Sequence, residues 1–185
     1  MLQRIRAAGG WKPGDRVLDV GCGNGRLAIP LCEQPGSYLG LEPIEQCVSF
    51  CREAFAPWPH LRFEHLDIAN AMYNPTGKLS PQEVTYPVPD GSVDVVLFCS
   101  IFTHAQHVSV CRRNLQEAWR VLSQHGKCFT SWFSAPPNTL TDDACRTVFP
   151  VRQIVDLIAG WKILHSAEGL TTEHHDQWIL VLEKT

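Results

Sequence analysis

A turn with three glycines follows a short apolar segment near the start of the chain. In RVLDVGCGNGRL (16–27), the carboxylate of Asp19 precedes Gly21, Gly23 and Gly25. Glycines at alternate positions allow left-handed backbone conformations and let a ligand approach main-chain N–H groups without an obstructing Cβ. The stretch predicts a binding site for a nucleotide-like ligand at the end of a strand.

The spacing of these glycines does not match the dinucleotide fingerprint. That fingerprint requires G-x-G-x-x-G or a final alanine, and its sixth position, counted from Gly21, is Arg26. A long charged side chain there would obstruct the close packing of helix against strand. A nicotinamide dinucleotide is therefore disfavoured.

Two further acids end strand-like segments. Glu42 closes SYLGLE (37–42), and Asp67 closes LRFEHLD (61–67). Open α/β sheets bind ligands at the carboxyl ends of their strands, where such carboxylates accept hydrogen bonds from hydroxyl or amine groups. The alternatives are a solvated strand end for Glu42 and a helix N-cap for Asp67.

Alternation of strand-like and helix-like segments predicts an α/β fold with a parallel sheet. The segment 92–100 is almost continuously hydrophobic, which is typical of a central strand buried on both faces. The helix predicted at 24–34 contains Pro30, which removes a hydrogen bond, and the helix at 111–126 should stop at Gly126. We predict strands at 16–21, 37–42, 61–67, 92–100, 127–133, 162–169 and 177–184, and helices at 24–34, 44–55, 111–126 and 151–161.

Length and charge limit the class of protein. The 185 residues fit one domain (1–185), in which residues 1–15 form a short N-terminal segment. The net charge of -3 gives no basic footprint for nucleic acid. The sequence has neither a signal-peptide pattern nor an apolar run of ~18 residues, which predicts a cytoplasmic protein with no membrane partner.

The eight cysteines include no C-x-x-C pair and predict reduced thiols. Cys47 and Cys51 would share a helix face, and with His174 and His175 they suggest a metal site. Zinc signatures need two tight pairs, so we expect no metal.

Five motifs in order resemble the class I S-adenosylmethionine-dependent methyltransferases, over residues 11 to 134 and beyond that by element order. They are VLDVGCGNG (17–25), YLGLEP (38–43), HLDI (65–68), VPDGSVDVVLFCS (88–100) and RVLSQHGKCFTSWF (120–133). The resemblance implies a Rossmann-like class I methyltransferase fold, with a mostly parallel seven-stranded sheet and helices on both faces. It also implies S-adenosyl-L-methionine as the cofactor.

The same resemblance implies roles for the residues of these motifs. Asp19 and the glycine turn would hold the methionine portion, Glu42 the ribose hydroxyls, and Asp67 with Ile68 the adenine. The implied cofactor-binding residues are Asp19, Gly21, Cys22, Gly23, Gly25, Glu42, Pro43, Asp67, Ile68 and Ser100.

Methyl transfer is an in-line displacement, for which a base is useful when the acceptor is an alcohol. His104, just past the fourth strand, is the candidate general base, and His107 is a second candidate. Histidine suits proton transfer near neutral pH. The alternative for His104 is a role in capping or packing the loop.

An acceptor pocket is predicted beside the cofactor. The segment 70–91 lacks periodicity and would form a substrate-side loop. Similar YNP insertions occur in this family, and in this loop Tyr73 and Asn74 would line the pocket. A plain surface loop is the alternative. Trp132 could bind an acceptor ring, with core packing as its alternative. Residues 134–150 could supply a lid.

The sequence therefore predicts an enzyme that methylates a small molecule, for example a hydroxyl of a sugar or natural product. One alternative is a catalytically silent methyltransferase fold that serves as a binding or regulatory subunit. Another is a protein or rRNA methyltransferase. Because the N-terminal segment is short, a second subunit could complete the site, which suggests a homodimer.

Overall fold

The computed structural model of the chain describes residue 5 and residues 9–105, 107–134, 147–171 and 176–185. Its strands are β1 (Arg16–Val20), β2 (Ser37–Glu42), β3 (Leu61–His65), β4 (Val93–Phe98), β5 (Leu122–Ser134), β6 (Val148–Phe149), β7 (Lys162–Thr171) and β8 (Asp176–Glu183). Its α-helices are α1 (Glu45–Ala54), α2 (Val108–Val121) and α3 (Val151–Leu157), with short 3-10 turns at Ile29–Leu31 and Phe102–His104.

One sheet organises the chain, in the order β3-β2-β1-β4-β5-β8-β7. The strands from β3 to β5 are parallel, and β8 runs antiparallel to both β5 and β7. The predicted mostly parallel sheet is confirmed. The sheet has eight strands instead of seven because the two-residue β6 also pairs with β5.

Both faces of the sheet are covered, as predicted. Leu18 and Val20 of β1 belong to a cluster that includes residues of α2 and α3, whereas Val17 belongs to a second cluster with residues of α1. The centre of β4, from Val95 to Phe98, is at most 1% exposed. Because successive strand residues face opposite sides, such burial requires cover on both.

The helix predicted at 24–34 is wrong. The chain after the glycine turn instead makes consecutive tight turns, in which Gly25 N–H donates to Cys22 O and Ala28 N–H to Gly25 O. Regular structure there is limited to the 3-10 turn at Ile29–Leu31. Pro30 has no N–H to give to an α-helical ladder, which accounts for the difference.

Helix α2 ends five residues before the predicted stop. Leu122 is already extended (φ -68°, ψ 136°), and β5 begins there. Gly126 therefore lies within the strand. A Cβ at this glycine would stand 2.9 Å from Leu122 Cδ2, so close packing is the reason for a glycine here.

Only part of the segment 70–91 can serve a substrate. Val84, Tyr86 and Val88 are buried, and backbone groups of residues 84–88 are tied to α2. Arg113 Nε donates to Val84 O (2.6 Å), and Arg120 donates to Val88 O (2.9 Å) and Tyr86 O (3.1 Å). This second half of the segment covers the core, which corrects its assignment as substrate-side loop.

Most of the predicted lid at 134–150 lies outside the described residues, since only Ser134 and 147–150 are described and these belong to β5 and β6 or adjoin α3. Within the described part of the chain, no helix is long and apolar enough to cross a membrane.

Candidate active site

The glycine turn has the backbone geometry that its sequence predicts. Gly21, Gly23 and Gly25 have φ angles of +71°, +54° and +76°. A Cβ on Gly21 would lie 2.2 Å from Ile101 Cδ1, and a Cβ on Gly25 would lie 2.6 Å from Phe55 Cε2. No atom stands within 4 Å of the Cβ position of Gly23, so the turn is open at its middle glycine.

Glu42 connects the end of β2 to this turn. Its carboxylate accepts hydrogen bonds from Gly23 N–H (2.8 Å) and Ile44 N–H (3.2 Å), and the residue is 5% exposed. Burial raises the pKa of this carboxyl although both N–H groups act in the opposite direction. Carboxylate oxygens can accept more than one bond each, so the predicted ribose contact stays a prediction.

Asp19 is buried beneath the turn. It is 1% exposed and accepts a hydrogen bond of 2.7 Å from Tyr38 Oη. Burial raises the pKa of Asp19 to about 7; the Tyr38 hydroxyl lowers it, and the nearby charge of Glu42 raises it further. The sequence did not identify Tyr38 as part of the site.

The side chain of Cys22 belongs to the core, so only its backbone faces the turn. The residue is 8% exposed, and Gly40 leaves space for its sulfur, which would lie 2.7 Å from a Cβ there. The neighbouring Pro43 presents its carbonyl oxygen 3.0 Å from His65 Nε2.

A compact loop follows β3 and carries the predicted adenine-binding residues. Asn74 Nδ2 donates to Asp67 Oδ1 (2.9 Å) and to Ile68 O (3.2 Å). This hydrogen bond, followed by smaller effects that include nearby His65 and Lys78, lowers the pKa of Asp67. Asn74 therefore contacts the carboxylate that was assigned to the adenine, which sequence reasoning did not foresee.

Tyr73 and His104 are brought together, although 31 positions separate them in the sequence. Their rings meet edge to face, with centroids 5.9 Å apart and an interplanar angle of 90°. His104 closes the 3-10 turn after β4, and Tyr73 is 41% exposed. His107 is exposed at the N-cap of α2 in an extended conformation. The structure thus places His104, and not His107, against the predicted acceptor loop.

Ser100 has a strained backbone at the end of β4. Its φ of +63° is rare for a residue other than glycine, and its N–H donates to Ser131 Oγ (2.8 Å). Such conformations persist where surrounding structure enforces them and are frequent in functional sites. Ser131, 1% exposed on β5, is a second residue that sequence reasoning missed; its only signal was a hydroxyl in an apolar strand.

Trp132 is a core residue, which corrects its assignment as a substrate contact. It is fully buried, stacks on Phe102 (centroids 4.3 Å apart) and meets Phe149 edge to face at 5.7 Å. Its indole N–H is satisfied by Thr130 Oγ1 at 2.8 Å. A buried indole with an internal partner leaves no surface for an acceptor ring.

The cysteines that the structure describes are all free thiols. In the same part of the chain, no group of three or more His, Cys, Asp or Glu side chains could hold a metal ion. His174 and His175 lie outside it.

Comparison with protein families gives a match over residues 18–130 to the family described as "Methyltransferase domain". Among curated proteins, a ribosomal RNA small subunit methyltransferase A of Dehalococcoides mccartyi is 32% identical over 84 residues, which are 45% of this chain and 26% of that protein. An uncharacterized methyltransferase of Schizosaccharomyces pombe is 29% identical over 97 residues, 51% of this chain and 32% of that protein. The chain thus spans about a third or less of the length of these relatives.

Solved structures share the fold along almost the whole chain. A SAM-dependent methyltransferase of Methanosarcina mazei superposes with a TM-score of 0.71 at 15% identity and covers 94% of both chains. Magnesium protoporphyrin IX methyltransferase of Synechocystis PCC 6803, solved with bound SAM, superposes with a TM-score of 0.66 at 17% identity and covers 100% of this chain and 76% of its own.

Proposed function

Because this chain belongs to the methyltransferase domain family, we propose that it transfers the methyl group of S-adenosylmethionine to a small-molecule acceptor. The family predicted from the sequence is confirmed, and the neighbour solved with bound SAM, and again with SAH, agrees with the predicted cofactor. The identity of the acceptor is the part that rests on the site alone.

One observation carries the cofactor assignment. Asp19, Glu42 and Asp67 lie at or just past the carboxyl ends of the adjacent strands β1, β2 and β3, around the glycine turn. Asp19 is an acceptor of the type that an ammonium group needs, and Glu42 and Asp67 match ribose hydroxyls and an adenine amine. The N–H groups of residues 21–23 and 25 already donate within the protein, so the support for the cofactor comes from the three carboxylates, whose acceptor types fit the group.

The acceptor assignment is supported by the loop after β3. Tyr73, whose ring meets His104, is 41% exposed, and Met72 and Leu79 of the same loop are 45% and 43% exposed. Such surfaces bind small molecules with apolar or aromatic bodies. The net charge of -3 disfavours a nucleic acid as the acceptor.

In this mechanism, the cofactor supplies an electrophilic methyl group on a sulfonium when it is bound. Glu42, beside the glycine turn, would hold the cofactor, and the methyl group would pass to an acceptor hydroxyl with S-adenosylhomocysteine as the leaving group. His104, whose ring meets Tyr73, would accept the proton that the hydroxyl loses.

Methylation of ribosomal RNA is the second candidate. Its support is the 32% identity with an rRNA methyltransferase over 84 residues. A silent binding module is the third, but the glycines and acids of a cofactor site are all present.

Two measurements separate these functions. The first is titration calorimetry of S-adenosylhomocysteine, in which micromolar stoichiometric binding supports the cofactor site and no binding by a folded sample favours the silent module. The second is incubation of cell extracts with S-adenosylmethionine that carries a labelled methyl group. Label in small molecules supports the proposal, whereas label in ribosomal RNA or protein would replace it.

A further inference from the structure

Asn74 is the only residue in the described part of the chain whose side-chain hydrogen bond reaches Asp67 Oδ1. It lies on the same loop as Tyr73, whose ring meets His104. The residue that bonds the predicted adenine-binding carboxylate and the residue whose ring meets His104 are therefore adjacent in the sequence.

We propose that Asn74 is a positioning residue that holds the Asp67 carboxylate for the adenine and so ties the acceptor-side loop to the bound cofactor. This inference rests on the proposed function, because it assigns S-adenosylmethionine to Asp67. Neither the motif resemblance nor the family match assigns a role in cofactor binding to this asparagine.

The geometry of the bond supports this role. Asn74 Nδ2 donates two hydrogen bonds to residues that precede it in the chain, one to Asp67 Oδ1 (2.9 Å) and one to Ile68 O (3.2 Å). One amide therefore fixes the carboxylate and the backbone of the next residue. The backbone N–H of Lys78 also donates to this carboxylate. Each carboxylate oxygen can accept more than one hydrogen bond, so acceptor capacity remains for an adenine amine.

The backbone around Asn74 is itself held in place. Asn70 and Asn74 exchange N–H to carbonyl bonds, each 2.9 Å long. Leu79 N–H donates to Asp67 O (2.8 Å) and Ala69 N–H to Leu79 O (2.9 Å), which closes the loop at its base. The amide thus approaches Asp67 from an ordered support, as orientation of another group requires.

A neighbouring asparagine offers a matched control. Asn70 Oδ1 accepts from Met72 N–H (2.9 Å) and Tyr73 N–H (3.1 Å), so this side chain orders the same loop through backbone groups and not through the carboxylate of Asp67. Asn70→Ala perturbs the loop, and Asn74→Ala perturbs the loop and the carboxylate. Comparison of the two isolates the contact with Asp67.

The test is a double-mutant cycle read by calorimetry of S-adenosylhomocysteine with the full chain. We expect Asn74→Ala and Asp67→Ala each to raise Kd about tenfold, and the double variant to match Asp67→Ala within about twofold, because the two residues act as one unit. Asn70→Ala should change Kd by less than about threefold. The near-isosteric Asn74→Asp, which replaces the donor by a second carboxylate, should weaken binding more than Asn74→Ala.

A pH profile gives a readout that a merely structural role would not move. The charged groups near Asp67 are His65 at the end of β3 and Lys78 on the loop, and both are retained in every variant. Loss of the Asn74 donor should raise the pKa of Asp67, so the acid loss of S-adenosylhomocysteine binding should begin at higher pH in Asn74→Ala.

The outcomes distinguish the inference from the proposed function. Two results would overturn the role of Asn74 and leave the proposed function standing, provided that the wild-type chain binds S-adenosylhomocysteine. The first is an unchanged Kd in Asn74→Ala, and the second is a double variant whose loss of binding free energy equals the sum of the two single losses. No binding by the folded wild-type chain would overturn both.

Discussion

The buried Asp19 carboxyl should make the folded state less stable as the pH rises. The pKa of Asp19 is about 7 in the folded protein, whereas an aspartate in an unfolded chain has its ordinary pKa of 3.8. In the folded state the group thus keeps its proton over about three pH units in which the unfolded chain has lost it. The stabilising contribution of the protonated form is complete below about pH 4 and is lost as the pH rises through about 7.

One unit of difference between the folded and unfolded pKa corresponds to about 1.4 kcal/mol, so the charged carboxylate destabilises the folded state by on the order of 4 kcal/mol above pH 7. Asp19→Asn keeps the size of the side chain and an oxygen that can accept from Tyr38. We therefore expect this variant to be as stable as wild type near pH 4 and more stable by up to ~4 kcal/mol near pH 8.

The assay is urea unfolding of both proteins at intervals from pH 4 to 9. The difference between the two free energies of unfolding reports Asp19 together with its charge coupling to Glu42, because groups that do not interact with Asp19 titrate equally in both proteins. Tyr38→Phe is the matched control: it removes the donor to the carboxylate and should destabilise the protein above pH 8 by about 1–3 kcal/mol. Parallel curves for wild type and Asp19→Asn would refute the reasoning.

Three further changes probe the rest of the site. Glu42→Ala should weaken binding of S-adenosylhomocysteine by about 1–3 kcal/mol, since Gly23 N–H loses its acceptor at the centre of the turn; calorimetry measures this, and an unchanged Kd would remove Glu42 from the site. His104→Ala should leave that Kd intact and slow methyl transfer about 10²-fold or more with the acceptor found by labelling, whereas an equal rate would make His104 structural. Ser131→Ala should lower the free energy of unfolding by about 1–3 kcal/mol, because Ser100 N–H loses its partner in a strained turn, and an unchanged urea midpoint would contradict that account.

The parts of the site that the sequence predicts are those in which chemistry and backbone geometry are local. A glycine at every second position of one turn required left-handed φ angles, and all three glycines have them. The strand at 37–42 was predicted to the residue, because an apolar run ends there in an acid followed by proline. Their roles toward a ligand are nevertheless predictions that the binding experiments must test.

Residues that act across the sheet could not be found in this way. Tyr38 reaches Asp19 because the register of β1 and β2 pairs Val17 with Tyr38, which puts the hydroxyl and the carboxylate on the same face. Ser131 reaches Ser100 only through the pairing of β4 with β5. Strand register is set by tertiary packing, and no single segment encodes it.

The loop after β3 shows a different limit. The sequence shows that this segment lacks periodicity. It does not show that the first part forms a closed loop and that the second part packs on the core. The anchors of the second part are arginines of α2, and no local pattern signals a contact with a helix more than twenty residues away. The same applies to Trp132, whose burial depends on Phe102 and Phe149 from other segments.

The division of this loop separates what can vary from what must be kept. Residues 67–80 are closed at their base by backbone bonds, and residues 84–90 are fastened to α2. The exposed residues Gln82 and Glu83 lie between the two parts. On the proposed function, changes at the exposed side chains of Met72, Tyr73 and Leu79 would alter the acceptor surface, while Asn74 and Asp67 keep their contact and the hydrophobic core stays intact. Substrate choice and stability would then depend on different residues of one loop.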